Sequence, residues 1–331
     1  MKLAYGIAPL TLCMLAGGQA AFAQDSLTVA YFMEWPLPFQ YAKAEGIYDE
    51  RLGVPVNWVA FDTGTAMSAA MAAGDVQIAV SQGVPPFISA ASAGQDLRII
   101  GVAASYPENE NCVVAARLEI DKDSANELEG LRVALPAGSG AHYGFLQQME
   151  HFGVDVGTMT VVDMAPAEGA AAFEQGSVDM ACGWGGALTR MLEHGNVLLT
   201  GDEKEEIGVL SSDVISTTSR FAAQNPELLA EFMAVTEEVN DMWSAGDKRD
   251  QMLPLIANDA GMDETGAGAV IDNFAFLTAE QQLSENWLGG GVANYLDGVA
   301  NLFFEMGSLS TVLPSYDDLI DTQPLANSVE R

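Results

Sequence analysis

Apolar and polar positions follow the same order twice along this chain of 331 residues. In each copy an apolar strand is predicted first, at Leu27–Tyr31 and again at Leu131–Leu135, and a turn and a helix follow it. A second strand then ends in an acidic residue, Asp62 in the first copy and Asp163 in the second. An Ala-rich helix and a third strand complete each copy. The pattern predicts two α/β units of the same design.

The clearest match between the copies lies just before their third strands. Ala73–Ala79 reads AGDVQIA and Gln175–Ala181 reads QGSVDMA, and a short Gly-containing loop ends each copy. Two Rossmann-like α/β units in one chain predict two lobes that face each other, with the loops at the strand ends lining the cleft between them. We therefore expect the function to lie in that cleft.

The chain after residue 216 has mainly helical periodicity. Asn225 precedes Pro226, which is the pattern of a cap followed by proline at the first helical position, and an amphipathic stripe continues from there. Because this tail has no strand pattern of its own, we expect it to pack on the first lobe. The chain then crosses between the lobes twice, near 105–113 and near 211–216, and two crossings form a hinge.

Three segments follow from this organisation. The first 23 residues are predicted to be a secretory signal, with Lys2, a short apolar run and small residues ending in Ala23. We expect cleavage after Ala23 and export to the periplasm. The predicted segments are: signal peptide, 1–23; lobe 1, 24–108 plus 216–331; lobe 2, 109–215.

The charge of the chain excludes some classes of partner. The net charge is −33, with 46 acidic residues, and loss of the signal, which contains Lys2 and no acid, makes it −34. Such a protein is not expected to bind nucleic acid or anionic lipid. The spacing of its three histidines matches no metal site, and we predict no metal, no cofactor and no catalytic residue.

Two cysteines remain after the signal, Cys112 and Cys182, and each lies beside an apolar strand. In an oxidising compartment they could form a disulfide. We favour two buried free thiols instead, because their predicted strands begin in different places.

Four loops are predicted to reach the cleft, and none of them contains Lys or Arg. They are Met33–Phe39, Ser81–Pro86, Gly138–Tyr143 and Gly183–Gly186. Each follows a strand and opens a helix, so backbone N–H groups face the cleft with the positive end of the helix behind them. An anion here would be held by these amides together with polar side chains, which are Ser81, Gln82, Ser139 and His142.

Aromatic and acidic residues suit a cation in the same cleft. Trp35, Trp184 and Tyr143 offer ring faces, which attract an ammonium group. Glu110 and Asp213 lie on the two crossings beside apolar residues, where each could be a partly buried partner for that charge. Donors for an anion and acceptors for a cation together indicate a zwitterionic ligand.

Two other interpretations of the third loop are weaker. Gly138 to Gly144 has the spacing GxGxxxG, whereas a dinucleotide fingerprint requires GxGxxG. Ser139 and His142 could be written as part of a catalytic triad, but a serine at a helix start is more simply an N-cap, and the chain has no GxSxG motif.

The chain resembles the periplasmic substrate-binding proteins of ABC transporters in the nitrate, sulfonate and taurine group, most closely taurine-binding proteins. The stretches that carry the resemblance are Asn57–Gly64, Ala73–Ile78, His142–Tyr143, Asp163–Pro166 and Phe276–Gln282. The resemblance implies the type II periplasmic binding protein fold, an α/β fold with two Rossmann-like lobes and a two-segment hinge. It further implies a non-enzymatic, monomeric receptor that delivers an aminosulfonate to a membrane permease.

The resemblance also assigns roles to residues. Ser81, Gln82, Ser139, His142 and Tyr143 would face the sulfonate, Trp35 and Trp184 would pack on the ligand, and Glu110 and Asp213 would face the amine. The first loop, with Glu34-Trp35-Pro36, and the Gly-Gly after Trp184 depart from the usual pattern, so the ligand could be a relative of taurine. Two alternatives stay open: a receptor for a quaternary ammonium compound such as a betaine, and an enzyme on the same fold, as in pyrimidine-precursor synthesis.

Overall fold

The computed structural model describes Met1 and residues 26–331, apart from 107, 208, 210 and 247. The predicted export signal, apart from Met1, lies outside the described residues. Within the described part of the chain, no helix is both long enough and apolar enough to cross a membrane.

The described residues form ten strands, which build two five-stranded sheets. The strands are β1 (Leu27–Phe32), β2 (Val56–Phe61), β3 (Ile78–Gly83), β4 (Arg98–Ser105), β5 (Glu110–Ala115), β6 (Arg132–Leu135), β7 (Thr160–Asp163), β8 (Met180–Trp184), β9 (Gly195–Val197) and β10 (Ser212–Thr217). The first sheet has the order β2-β1-β3-β10-β4 and the second the order β7-β6-β8-β5-β9. Three parallel strands begin each sheet, and the fourth runs antiparallel to them. The predicted pair of α/β units is confirmed.

Helices cover the faces of both sheets. They are α1 (Phe39–Ala44), α2 (Ile47–Leu52), α3 (Gly64–Ala73), α4 (Val84–Ser92), α5 (Gly140–Phe152), α6 (Pro166–Glu174), α7 (Gly185–Leu192), α8 (Gly201–Glu206), α9 (Ser219–Gln224), α10 (Pro226–Ala245), α11 (Arg249–Ala260), α12 (Glu264–Ile271), α13 (Ala279–Leu283), α14 (Gly291–Glu305) and α15 (Gln323–Ser328). The buried apolar side chains lie between these helices and the sheets.

The helical tail packs on the first sheet's side of the molecule. Helix α10 contacts α1 and α2, and α14 contacts α4. As predicted, α10 begins at Pro226, which occupies the first turn where a missing N–H costs no hydrogen bond. Asn225 precedes it but makes no side-chain cap, because its Nδ2 donates to the Phe221 carbonyl instead.

The second crossing differs from the sequence prediction. The sequence analysis places it at 211–216, whereas Ser212–Thr217 forms β10, a strand between β3 and β4 of the first sheet. The physical reason is that both faces of this segment are buried, since the consecutive residues Val214 and Ile215 are both inaccessible to solvent. The return to the first sheet therefore comes before Ser212, and Asp213 approaches the cleft from a first-sheet strand.

The preference for free thiols is wrong, because Cys112 and Cys182 form a disulfide. The strands β5 and β8 begin in different places along the chain, but they pair antiparallel, and their register puts the two cysteines directly opposite each other. Both side chains are buried. The same register aligns Glu110 with Trp184 two positions away, so the disulfide ties the two strands that carry these candidate residues.

Candidate functional site

A small cavity lies where the two lobes meet, at the ends of strands from both sheets. Its volume is about 20 Å³, so the lobes are nearly closed on one another. The first lobe and its crossing supply Phe32, Trp35, Gly64, Gly83, Pro86, Tyr106 and Asp213, and the second lobe supplies Glu110, Ser139, Gly140 and Trp184. Among the described residues that line it, none is Lys, Arg or His.

Asp213 is the carboxyl group on the first-lobe side of this cavity. Its side chain is only 2% exposed. The indole Nε1 of Trp35 donates to one oxygen at 2.9 Å, and the hydroxyl of Tyr106 donates to the other at 2.6 Å. Burial raises the pKa of Asp213 well above its usual value, and the nearby charge of Glu110 acts in the same direction. Both donors are neutral side chains, so they orient the carboxyl group of Asp213 without compensating a negative charge on it.

Glu110 is the carboxyl group on the second-lobe side, at the first position of β5. Its side chain lies against the start of α5, where a Cβ on Gly140 would come 2.7 Å from Oε2, and it accepts the Ala141 amide. Burial raises the pKa of Glu110 to about 7, although the charge of Lys204 opposes this shift. The residue at position 140 must therefore be small for Glu110 to hold this position.

Aromatic rings form the apolar walls. Trp35 packs between Tyr106, at 4.7 Å between ring centroids, and Phe274, at 4.6 Å. Trp184 reaches across from the second lobe to Phe32, with centroids 5.5 Å apart. Rings held in this way lose little conformational freedom when a ligand arrives, and their faces attract an ammonium group.

The third loop uses its hydrogen-bonding groups within the chain. Ser139 is the N-cap of α5: its Oγ accepts the His142 amide and donates to the Pro136 carbonyl. The Nδ1 of His142 accepts the Gly138 amide at 3.0 Å, and burial lowers the pKa of this histidine, which favours the neutral ring that such a bond requires. This arrangement differs from the expectation that these donors face an anion.

His142 and Tyr143 do not line the cavity. Their rings lie beside Phe303 of α14, with centroid distances of 6.1 and 5.9 Å. They bridge the second lobe to the helical tail of the first, next to the cavity. Their assignment to a sulfonate stays a prediction.

Ser81 and Gln82 lie behind the cavity, in the buried strand β3. The Oγ of Ser81 accepts the Phe32 amide at 3.3 Å. The side chain of Gln82 donates to Ser68 at 2.6 Å and accepts from Ser216 at 2.7 Å. These bonds join β3 to β1, α3 and β10, so in this structure the two residues support the cavity wall and do not line it.

The first and fourth loops meet across the cleft. The Glu34 carbonyl accepts the Gly186 amide at 3.1 Å, and the Glu34 carboxylate pairs with Arg190 at 2.9 Å. Gly185 has φ +54°, and a Cβ there would overlap the Glu34 carbonyl oxygen and lie 2.9 Å from Trp35. The Gly-Gly after Trp184, which departs from the expected family pattern, thus makes room for Glu34 of the opposite lobe.

Sequence reasoning missed Tyr106 and Phe32, which line the cavity, and Lys204, which lies behind it beside Glu110. Tyr106 lies on the first crossing, where an aromatic residue beside buried strand residues was an available signal. Phe32 ends β1, and its contact with Trp184 has no local signature. Lys204 lies in the charged segment Gly201–Glu206, and nothing in that pattern predicts a lysine that is 2% exposed.

The chain matches the family model described as NMT1/THI5 like over residues 37–243. It is 26% identical to the taurine-binding periplasmic protein of Escherichia coli K12 over 302 residues, 90% of this chain and 92% of that protein. It is also 26% identical to a putative aliphatic sulfonates-binding protein of the same organism over 252 residues, 76% of this chain and 74% of that protein.

A solved structure gives the same fold. The alkanesulfonate-binding protein SsuA from Xanthomonas axonopodis pv. citri, bound to MOPS, matches with a TM-score of 0.72 at 20% identity, covering 87% of this chain and 95% of that one. The predicted two-lobed binding-protein fold is therefore confirmed.

Proposed function

The chain belongs to the NMT1/THI5 like family, and we propose that it is a periplasmic receptor for taurine or a close aminosulfonate, which it delivers to the permease of an ABC importer. Two relatives that align with this chain along most of their own length are named as binding proteins. They support the role of a solute-binding protein that is not an enzyme. The choice of ligand rests on the cavity.

One observation carries the choice of an amine-bearing ligand. Asp213 is a buried carboxyl group that lines the cavity and is oriented by two neutral donors, Trp35 and Tyr106. Burying a carboxylate without a cation is costly, so an ammonium group placed against it would be favoured strongly. Binding by closure of the lobes needs contacts that exist only when both lobes touch the ligand, and Asp213 faces Trp184 and Ser139 of the other lobe across the cavity.

The sulfonate part of the proposal is supported by the names of the relatives. The two curated E. coli relatives are named for taurine and for aliphatic sulfonates. Taurine joins a sulfonate to an ammonium group and so satisfies both the cavity and the relatives.

A second candidate is a quaternary ammonium compound such as a betaine. It is favoured by the four aromatic rings that line the cavity, Phe32, Trp35, Tyr106 and Trp184, because ring faces bind methylated ammonium groups without needing a hydrogen bond.

Calorimetry with matched ligands tests the proposal. Taurine and isethionate share the sulfonate and the two-carbon chain but differ in having an ammonium or a hydroxyl group. We expect taurine to bind at least tenfold more tightly than isethionate, and glycine betaine to compete weakly. Equal affinities for taurine and isethionate would contradict recognition of the amine. A higher affinity for glycine betaine than for taurine would support the second candidate, a receptor for a quaternary ammonium compound.

A further inference from the structure

A second cavity, here called the hinge cavity, lies where the chain crosses between the two sheets. Its volume is about 150 Å³. Ser105 ends β4, after which the chain enters the second sheet, and Ser212 begins β10, where the chain has returned to the first. The two serines lie opposite each other in the register of these strands. The described residues that line the hinge cavity are Val84, Val102, Ser105, Ser211, Ser212, Val214, Asn286, Trp287, Gly291, Val292 and Tyr295.

The hinge cavity is separate from the ligand cavity but shares a wall with it. Among the described residues, none lines both. Asp213 lines the ligand cavity, whereas its neighbours Ser212 and Val214 line the hinge cavity. Successive side chains of a strand point to opposite faces, so β10 forms one wall of both cavities. A molecule in the hinge cavity would therefore lie directly behind Asp213.

The chemistry of its walls defines what the hinge cavity can hold. Four valines and the ring of Trp287 make the walls mainly apolar, and none of the described lining residues is acidic or basic. Ser211 is 5% exposed, and its Oγ is buried without a hydrogen-bond partner among the described residues. A buried hydroxyl without a partner is unfavourable, so a ligand that offers one hydrogen-bonding group would be favoured there. An apolar cavity of about 150 Å³ accommodates a molecule of the size of benzene.

We propose that the hinge cavity is a second binding site, which takes a small neutral aromatic molecule with one hydroxyl group and favours the closed lobes when it is occupied. Both crossings line it, and the Tyr106 amide of the first donates to the Ser211 carbonyl of the second at 3.0 Å. The cavity has its volume in a structure whose lobes are nearly closed, so a molecule that fits it shifts the equilibrium towards this arrangement. The ligand in the cleft is then bound more tightly, by linkage. This coupling rests on the proposed function, whereas the site itself does not.

Phenol is the probe for this site, and calorimetry on the protein without taurine measures its binding. One phenol should bind per protein in a saturable way, with a Kd on the order of 1 mM for so small a ligand. Val292 is 6% exposed and lines the hinge cavity, so Val292→Phe should fill the cavity and weaken phenol binding at least tenfold. Asn294→Phe adds the same ring to an exposed position of α14 outside the cavity and should leave phenol binding unchanged. Absence of saturable binding to the wild type, or equal binding by Val292→Phe as for a phenol held in the ligand cavity, overturns the inference.

Ser211→Ala tests the hydroxyl part of the inference and covers the case in which Val292→Phe does not fold. The substitution removes the Oγ that has no partner among the described residues and leaves the apolar walls intact. Phenol should bind the variant at least fivefold more weakly than the wild type, whereas toluene, which has the same size but no hydroxyl group, should bind both proteins equally. An unchanged phenol affinity overturns the assignment of a hydroxyl-bearing ligand.

Titration of taurine with and without saturating phenol tests the coupling between the two sites. Phenol should tighten taurine binding to the wild type about fivefold and should leave the taurine affinity of Val292→Phe unchanged. Unchanged or weaker binding to the wild type overturns the coupling. Failure of taurine to bind the wild type at all would reject the proposed function instead. Closure is then measured by small-angle X-ray scattering, in which phenol should lower the radius of gyration of the wild type but not of Val292→Phe, and no decrease overturns the coupling.

Discussion

Asp213→Asn should weaken ligand binding without lowering the stability of the ligand-free protein. The asparagine has nearly the same shape, and its Oδ1 can still accept from Trp35 while its Nδ2 donates to Tyr106. What it loses is the negative charge that Asp213 can carry, in a cavity where its two hydrogen-bond donors, Trp35 and Tyr106, are neutral. The taurine ammonium would then be buried without a counter-charge.

The loss of affinity can be estimated from that contact. Removing one member of a buried, hydrogen-bonded charge pair costs about 2 to 5 kcal/mol. Because the amide oxygen of asparagine still accepts a hydrogen bond, we expect the lower part of that range, about 2 to 3 kcal/mol, which weakens taurine binding about 30- to 150-fold. Isethionate carries no cationic group that could pair with Asp213, so its affinity should change less than threefold.

The stability of the ligand-free protein should rise at the same time. The pKa of Asp213 is raised in the folded state, so its contribution to stability is fully present below its unfolded pKa of about 4 and is lost as the pH rises toward the folded value. Asparagine stays neutral and escapes this loss. The Tm of Asp213→Asn at pH 8 should therefore equal or exceed that of the wild type.

Calorimetry and thermal unfolding measure the two effects on the same samples. Equal losses of taurine and isethionate affinity would refute the role of Asp213 as counter-ion. A Tm below that of the wild type at pH 8 would show that the charged carboxylate stabilises the ligand-free fold, and the reasoning from burial would be wrong.

Three further predictions concern closure, the disulfide and pH. Gly185→Ala should weaken ligand binding at least tenfold, because the added Cβ meets the opposite lobe, whereas Gly176→Ala, also at positive φ but with nothing within 4 Å, should leave affinity unchanged by calorimetry. Replacing Cys112 and Cys182 by Ala should lower the free energy of unfolding by about 4 kcal/mol, as expected for a cross-link over 70 residues, and an unchanged denaturation midpoint would contradict a formed disulfide. Burial raises the pKa of Glu237 to about 7, so its contribution to stability is lost as the pH rises from about 4.5 to 7; Glu237→Gln should flatten the pH dependence of Tm in that window, and an unaltered profile would count against the shift.

The repeated pattern of strands and helices in the sequence was sufficient by itself to predict the two α/β units. Period-two and period-3.6 patterns are local, and burial of one face follows from them, so β1, β6 and the start of α10 could be predicted to within one residue. Asp213 was also visible as a candidate, because Val214 and Ile215 follow it directly and Val209 and Leu210 lie shortly before it, so that its carboxyl group was expected to be partly buried.

The partners of the site residues were decided only by tertiary structure. Trp35 reaches Asp213 across 178 positions of sequence, and Lys204 reaches Glu110 across 94. The disulfide depended on the register of β5 against β8, which the hydrophobic pattern leaves undetermined when both strands are buried on both faces. The sequence determined which chemical groups are available. The packing of distant elements decided that the carboxyl group of Glu110 lies at the start of α5. The physical reason is that a side chain's partner depends on which elements meet and not on its neighbours in sequence.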